Sequence, residues 1–178
     1  MGLVKELRGF RPKIGKDTFL AENCVIIGDV EIGEQSSIWY QVTLRGDVMP
    51  IRIGRQVNIQ DGTVVHGTFG EFGVEIADRV TIGHQVTLHG CQIGFESLIG
   101  MGSQILDGAV IPEQCLVGAG SLVTGALMTR TLKETGSPVS PRSLILGRPA
   151  KVIRPLTSEE IAALSQSAEN YLLYKTWY

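Results

Sequence analysis

The chain has 178 residues, sixteen of them basic and eighteen acidic, for a formal charge of −2. That length supports one sizeable core, and the near-neutral charge offers no electrostatic footprint for nucleic acid or an anionic membrane. Small molecules or further copies of the chain are the expected partners. No stretch approaches the roughly 20 apolar residues of a membrane span, and the first residues, MGLVKELRGFRP, hold no apolar run of signal-peptide length. A cytoplasmic location is expected, with Cys24, Cys91 and Cys115, an odd set without CxxC spacing, reduced and structural. Twenty-two glycines, few aromatics and many Val and Ile suit short strands joined by tight turns.

From the N-terminus, a branched aliphatic residue recurs every sixth position, and a small residue or Val usually follows four places later. Ile14, Leu20, Ile26, Ile32, Ile38 and Leu44 make the first run, with Thr18, Cys24, Val30, Ser36 and Val42 as small companions. The pattern slips by three residues around Met49 and Pro50, then resumes at Ile53, Ile59 and Val65. An interruption at 67–75 is followed by Ile76, Ile82 and Leu88. After a one-residue deletion, Ile93, Ile99, Ile105, Ile111, Val117 and Val123 complete about eighteen hexads. Period six tracks neither a 3.6-residue helical face nor period-two alternation. It fits a parallel β-helix over residues 1–126, with aliphatic side chains in a triangular core and small residues and glycines at the corners. Three hexads to a turn give about six coils.

After about Leu127 the period ends, and SPVSPRSLILGRPAKVIRPLT reads as an extended connection over 127–156 that leaves the coil. Thr157 with Glu160 is a capping-box pair, and Ile161, Leu164, Ala168 and Leu172 recur at helical spacing. An amphipathic helix over 157–178, packed on the β-helix within a single domain, is predicted.

The register also places the three histidines. His66 follows Val65 and His89 follows Leu88, each on the third hexad of its coil. If 67–75 leaves the coil and returns in phase, they stack about 4.8 Å apart on adjacent coils. His84 stands two places after Ile82, on the preceding side. Two stacked imidazoles can share one metal, and a closed ring of three chains would bring His84 of one opposite His66 and His89 of the next. Three protein nitrogens and an open position are the pattern of a catalytic zinc site. The plain alternative is three hydrogen-bonded histidines with no common ligand. Arg45, after Leu44, heads the same column, and Asp61, two places after Ile59, stands to its coil as His84 does to the next. A pair between Arg45 and Asp61 or Asp47 would tie subunits together and orient groups around a metal, or would be an ordinary surface ion pair.

With RGDVMPIRIG at 45–54, NIQDGTVVH at 58–66, TIGHQVTLHG at 81–90 and IGMGSQILDGAVI at 99–111, the chain resembles the gamma-class carbonic anhydrase family over most of its length. The resemblance implies a mainly β fold, a left-handed parallel β-helix with a C-terminal α-helix, assembled as a homotrimer that hydrates carbon dioxide reversibly to bicarbonate. It implies His66, His84 and His89 as zinc ligands, with His84 contributed across the trimer interface; three imidazoles accept iron or cobalt as well. By the same resemblance Arg45, Asp47 and Asp61 are interfacial and orienting charges, Gln60 is the polar group beside the zinc-bound water, and Asn58 is its neighbour. Tyr171 and Tyr174 are aromatic residues that reach the site from the terminal helix. In that chemistry the metal lowers the pKa of water from about 15.7 to about 7.

The sequence departs from well-studied active members of that family at two places. Val48 stands where they carry a glutamate, and only GTFGEFGVE follows the first histidine where they have a longer acidic loop, which leaves Glu71 and Glu75 as substitutes for proton transfer. Three other functions fit the same scaffold. One is a hexapeptide acyltransferase, which needs a single catalytic histidine and a cleft for coenzyme A. Another is thioester hydrolysis at the same metal, and the third is a trimeric zinc-binding scaffold without useful turnover.

Overall fold

Short strands carry the repeat, and each inward aliphatic side chain meets its counterpart one coil away. In the computed structural model, which describes residues 2–178, the strands stack in parallel on three faces of a solenoid of about six turns. The first face runs through Lys13–Ile14, the ends of Val25–Ile32 and Thr43–Ile53, then Val74–Ile76, Gln92–Ile93 and Val110–Ile111. The second runs through Phe19–Leu20, Ser37–Ile38, Asn58–Ile59, Thr81–Ile82, Leu98–Ile99 and Leu116–Val117. The third begins at Leu3–Lys5, takes in the starts of Val25–Ile32 and Thr43–Ile53, and continues through Val64–His66, Thr87–His89, Gln104–Ile105 and Leu122–Val123.

Every aliphatic position of the hexad series is buried except Ile14 and Leu20, which belong to the terminal coil and are covered from one side only. The small slot does more than fit a corner. The hydroxyl of Ser36 donates to the Gly54 carbonyl and accepts from the Val57 amide, and Thr63 does the same between Gly83 and Val86. Each such residue therefore sews two coils together. Gly33 has a different reason to be glycine, since a Cβ there would run into the backbone of Gly54 on the next coil.

Glycine was expected at the corners, but one whole corner is built from longer side chains. Gln35, Gln56, Arg79, Glu96, Gln114 and Arg142 all have φ between 52° and 60°, in the left-handed region, and their side chains bond one to the next along the solenoid axis. The bonds gained along that ladder offset a backbone conformation that L-residues otherwise avoid.

The extended connection expected over 127–156 is replaced by ordered structure. Helix α1 (Gly125–Thr135) turns away after Val123, buries Leu127 against the last coil and ends at Gly136 with φ 72°. Ser143–Gly147 then rejoins the second face as a further parallel rung, with Ile145 fully buried, and Ala150–Pro155 pairs antiparallel on its edge. Proline density suggested a departure from the coil, whereas the alternating SLILG stretch had enough apolar surface to extend it.

Helix α2 (Ser158–Tyr174) opens with the expected capping box between Thr157 and Glu160. It buries Leu164 and Ala168 against the second face and ends with the Lys175 ammonium on the carbonyls of Asp17 and Gln35, near the first coils. All three cysteines are buried and free. Among the described residues no helix is long and apolar enough to cross a membrane.

Candidate metal centre

His66 and His89 are direct register partners on adjacent coils of the third face, as the repeat predicts. Their ring centroids lie 5.2 Å apart, and His66 Nδ1 is 3.2 Å from His89 Nε2. Between the coils that carry them, residues 67–73 form a small hairpin bridged at Thr68 and Phe72, and the chain rejoins the first face in phase at Val74.

Each ring nitrogen that faces away from this pair meets a carboxylate. His66 Nε2 lies 2.9 Å from Asp47 Oδ1, and His89 Nδ1 lies 2.7 Å from Asp107 Oδ1. Burial pushes the Asp47 carboxyl up, but bonds from Arg45 and His66 outweigh it and hold the group below the usual carboxylate value. At Asp107 the same opposition is won by Thr68 and His89. Both carboxylates are therefore ionised acceptors, so His66 donates its Nε2–H and His89 its Nδ1–H. The two remaining nitrogens, His66 Nδ1 and His89 Nε2, face each other, where either a shared proton or a metal cation would hold them together. Two imidazole ligands bound at about 2.0–2.1 Å to a tetrahedral metal would stand about 3.3 Å apart, so the observed separation and donor set fit one.

The local chain path explains how Asp47 arrives. Gly46 pairs with Gly28 and Ile51 with Val30, so residues 47–50 face Asp29 alone and the surplus carries Asp47 outward to His66. Within one chain Arg45 pairs with Asp47, and Asp61 pairs with His84. Asp107 escaped the sequence reading. Counted forward from Ile105 it sits one place further along than His89 does from Leu88. Counted back from Gly90 and Gly108, whose backbones are bonded at 2.9 Å, the two residues hold the same place. The one-residue deletion after Leu88 was the available signal.

His84 stands apart from this pair. Its Nδ1 lies 2.8 Å from Asp61 Oδ2, and the side chain is about half exposed. Together with Trp39, Tyr40, Tyr171 and Tyr174 these two residues line an open cleft of about 230 Å³ beside α2. Tyr171 packs edge-on against Trp39 at 5.6 Å and against Tyr174 at 5.3 Å. Burial first, then the nearby Asp61 and Tyr174, pushes its phenol up to about 12. Among the described residues no group of three or more His, Cys, Asp or Glu side chains within one chain converges on a metal position.

Gln60 and Asn58 lie on the second face under α2. Gln60 Nε2 donates to Asn58 Oδ1 at 3.0 Å, Asn58 Nδ2 donates to Thr81 Oγ1 at 2.9 Å, and Thr81 meets Ser167 of α2 at 3.2 Å. Asn58 is 1 % exposed and holds the Gln60 amide. Glu75, expected as a substitute proton carrier, pairs in register with Arg52 on the first face, away from the histidines, and Glu71 is exposed in the hairpin.

A family profile described as bacterial transferase hexapeptide (six repeats) matches residues 11–46. A protein named carbonic anhydrase from Geobacillus kaustophilus is 41% identical over 170 residues, covering 96% of this chain and 87% of that protein. Protein YrdA of Escherichia coli is 41% identical over 182 residues, covering 99% and 94%. Gamma carbonic anhydrase 2, mitochondrial, of Arabidopsis thaliana is 41% identical over 166 residues, 90% of this chain but 56% of that protein, so the chain spans just over half the length of the plant relative. Among solved structures, a hexapeptide transferase family protein from Anaplasma phagocytophilum superposes with TM-score 0.85 at 40% identity, covering 99% of this chain and 98% of that one.

Proposed function

Because the chain belongs to the gamma carbonic anhydrase family, we propose that it hydrates carbon dioxide reversibly to bicarbonate at a zinc site shared between subunits of a homotrimer. The ligands are His66 and His89 of one chain and His84 of its neighbour. The observation that supports this most directly is the pair of imidazole nitrogens facing each other at 3.2 Å, each ring fixed from behind by a carboxylate. One chain supplies two such nitrogens in one place and a third elsewhere, which is why a second copy enters the reading. Zinc, when bound, supplies Lewis acidity that makes a water nucleophilic near neutral pH; iron or cobalt would suit the same nitrogens.

The chain's own residues do the rest. Asp47, Asp61 and Asp107 hold the three imidazoles in one tautomer and orientation. Asn58 ties up the Gln60 amide nitrogen, so Gln60 offers its carbonyl oxygen as acceptor and aligns the attacking water. Tyr171 keeps its proton throughout the neutral range and serves as a hydrogen-bond donor, while its aromatic neighbours exclude bulk water from the cleft. Val48 offers no proton carrier and Glu75 lies on another face, so proton release goes to solvent and buffer, with exposed Glu71 as the remaining side-chain carrier. Buried free cysteines and the near-neutral charge support a cytoplasmic setting without nucleic-acid or membrane partners.

Metal analysis of the purified protein should find one zinc per chain, and His84→Ala should lose it. Stopped-flow hydration should exceed that of a His89→Ala control. Absence of any bound divalent ion would overturn the reading, and bound zinc without hydration would reduce it to a scaffold. The transferase name of the Anaplasma relative favours group transfer as a second reading, of which the acyl form is scored by acetyl-coenzyme A consumption in the same preparation.

A further inference from the structure

We infer that the hairpin at 67–73 is a positioning device for His89, acting through Thr68 and Asp107; the purpose assigned to that positioning rests on the shared-metal reading. Thr68 Oγ1 donates to Asp107 Oδ2 at 2.7 Å, and the other oxygen of the same carboxylate accepts from His89 Nδ1 at 2.7 Å. A carboxylate on a solenoid corner, held by its own χ angles alone, would sweep through several rotamers. Thr68 fixes one oxygen, and the geometry of the carboxylate then fixes the other.

The hairpin is itself held against the same corner. Its Phe72 lies over Gly90 and Gly108, the residues that follow His89 and Asp107. Both glycines have positive φ, 58° and 70°, and a Cβ at Gly90 would collide with Phe72 and with the Asp107 carboxylate. Glycine is therefore required at 90 both by backbone conformation and by the approach of the hairpin. Thr68 and Phe72 are bridged to each other by backbone bonds, so one rigid unit presses on the backbone beside His89 and bonds the carboxylate behind it. Among the described residues nothing comparable backs His66, whose carboxylate is fixed by Arg45. The chain thus orients its two adjacent imidazoles by two independent means, an ion pair for one and a folded insertion for the other.

The test has two readouts. In metal-free protein, long-range ¹⁵N–¹H correlation spectra of the imidazoles should show His89 as the Nδ1–H tautomer. Asp107→Ala should abolish that preference, and Asp107→Asn, which keeps an acceptor oxygen, should restore most of it. Competition for zinc with a chromophoric chelator should show about a 10–100-fold loss of affinity in Asp107→Ala and a smaller loss in Thr68→Val. An unchanged tautomer together with affinity within twofold of wild type in Asp107→Ala would overturn the inference. Should Asp107→Ala fail to fold, Thr68→Val supplies the same comparison, and an unchanged tautomer and zinc affinity there would count equally against it. Failure of the metal reading looks different: wild-type protein would bind no zinc, while the tautomer measurement on metal-free protein would still decide whether Asp107 positions His89.

Discussion

Arg79 Nε donates to Glu96 Oε1 at 3.0 Å on the ladder corner, where Glu96 is only 7 % exposed and the same guanidinium reaches Ser165 of α2 at 2.9 Å. This joins the helix that carries Tyr171 to the solenoid. Arg79→Met removes one partner of a buried carboxylate that Gln114 also holds, and should cost about 1.5–3 kcal/mol in urea denaturation at neutral pH. Burial raises the Glu96 carboxyl, but bonds from Gln114, Ser165 and Arg79 outweigh it and leave it below its ordinary 4.5. A depressed folded-state value stabilises the protein above pH 4.5 and is lost as pH falls through the folded value. The gap between Arg79→Met and wild type should therefore narrow below pH 4.5. A gap independent of pH would exclude Glu96 as its source.

Leu88 and Ile14 occupy the same kind of repeat position at different depths. Leu88 is 0 % exposed between two coils, and Leu88→Ala should cost about 2–5 kcal/mol. Ile14 is half-buried on the terminal coil, so Ile14→Ala should cost roughly 1 kcal/mol. Denaturation midpoints that failed to separate the two would contradict the stacking described.

Gln60 and Asn58 should separate by function. Gln60→Ala should lower kcat for hydration about a hundredfold with metal content intact. Asn58→Ala, which frees the Gln60 amide to rotate and removes the bond to Thr81, should lower it less. An equal or larger loss in Asn58→Ala, at wild-type stability and metal content, would assign the chemistry to the wrong residue.

Tyr171 should titrate well above the ordinary tyrosine value. Absorbance at 295 nm should show one phenol ionising near 12, well above the ordinary 10.0. Because the raised value means the folded state keeps its proton longer than the unfolded chain, stability falls as pH rises from about 10 towards 12. In Tyr171→Phe the late absorbance step should vanish, and the alkaline loss of stability should shrink.

The hexad period made the solenoid legible at once, because burial in a narrow prism imposes it on every coil, from Ile26 to Val123. It also carried the pairing of His66 with His89, since parallel strands without a register shift keep equivalent positions together. What the period could not carry lay where it breaks. Asp107 was hidden by a deletion that changes the count from one end of the coil and preserves it from the other. The rung at Ser143–Gly147 was hidden by flanking prolines. The polar corner was hidden because its Gln, Arg and Glu side chains bond to one another a whole coil apart, a relation that does not show in any six-residue window.

A solenoid of identical turns has no address, since every rung resembles the next. The three faults in this one, a surplus before Pro50, the hairpin after His66 and the missing residue after Leu88, fall on neighbouring middle coils and mark a single location. Length and chemistry are consequently separable in this molecule. A whole extra turn of eighteen residues, spliced in beyond Ile111, would lengthen the prism and leave His66, His89 and their carboxylates undisturbed. One residue added between Leu88 and Gly90 would restore the perfect period and erase the site.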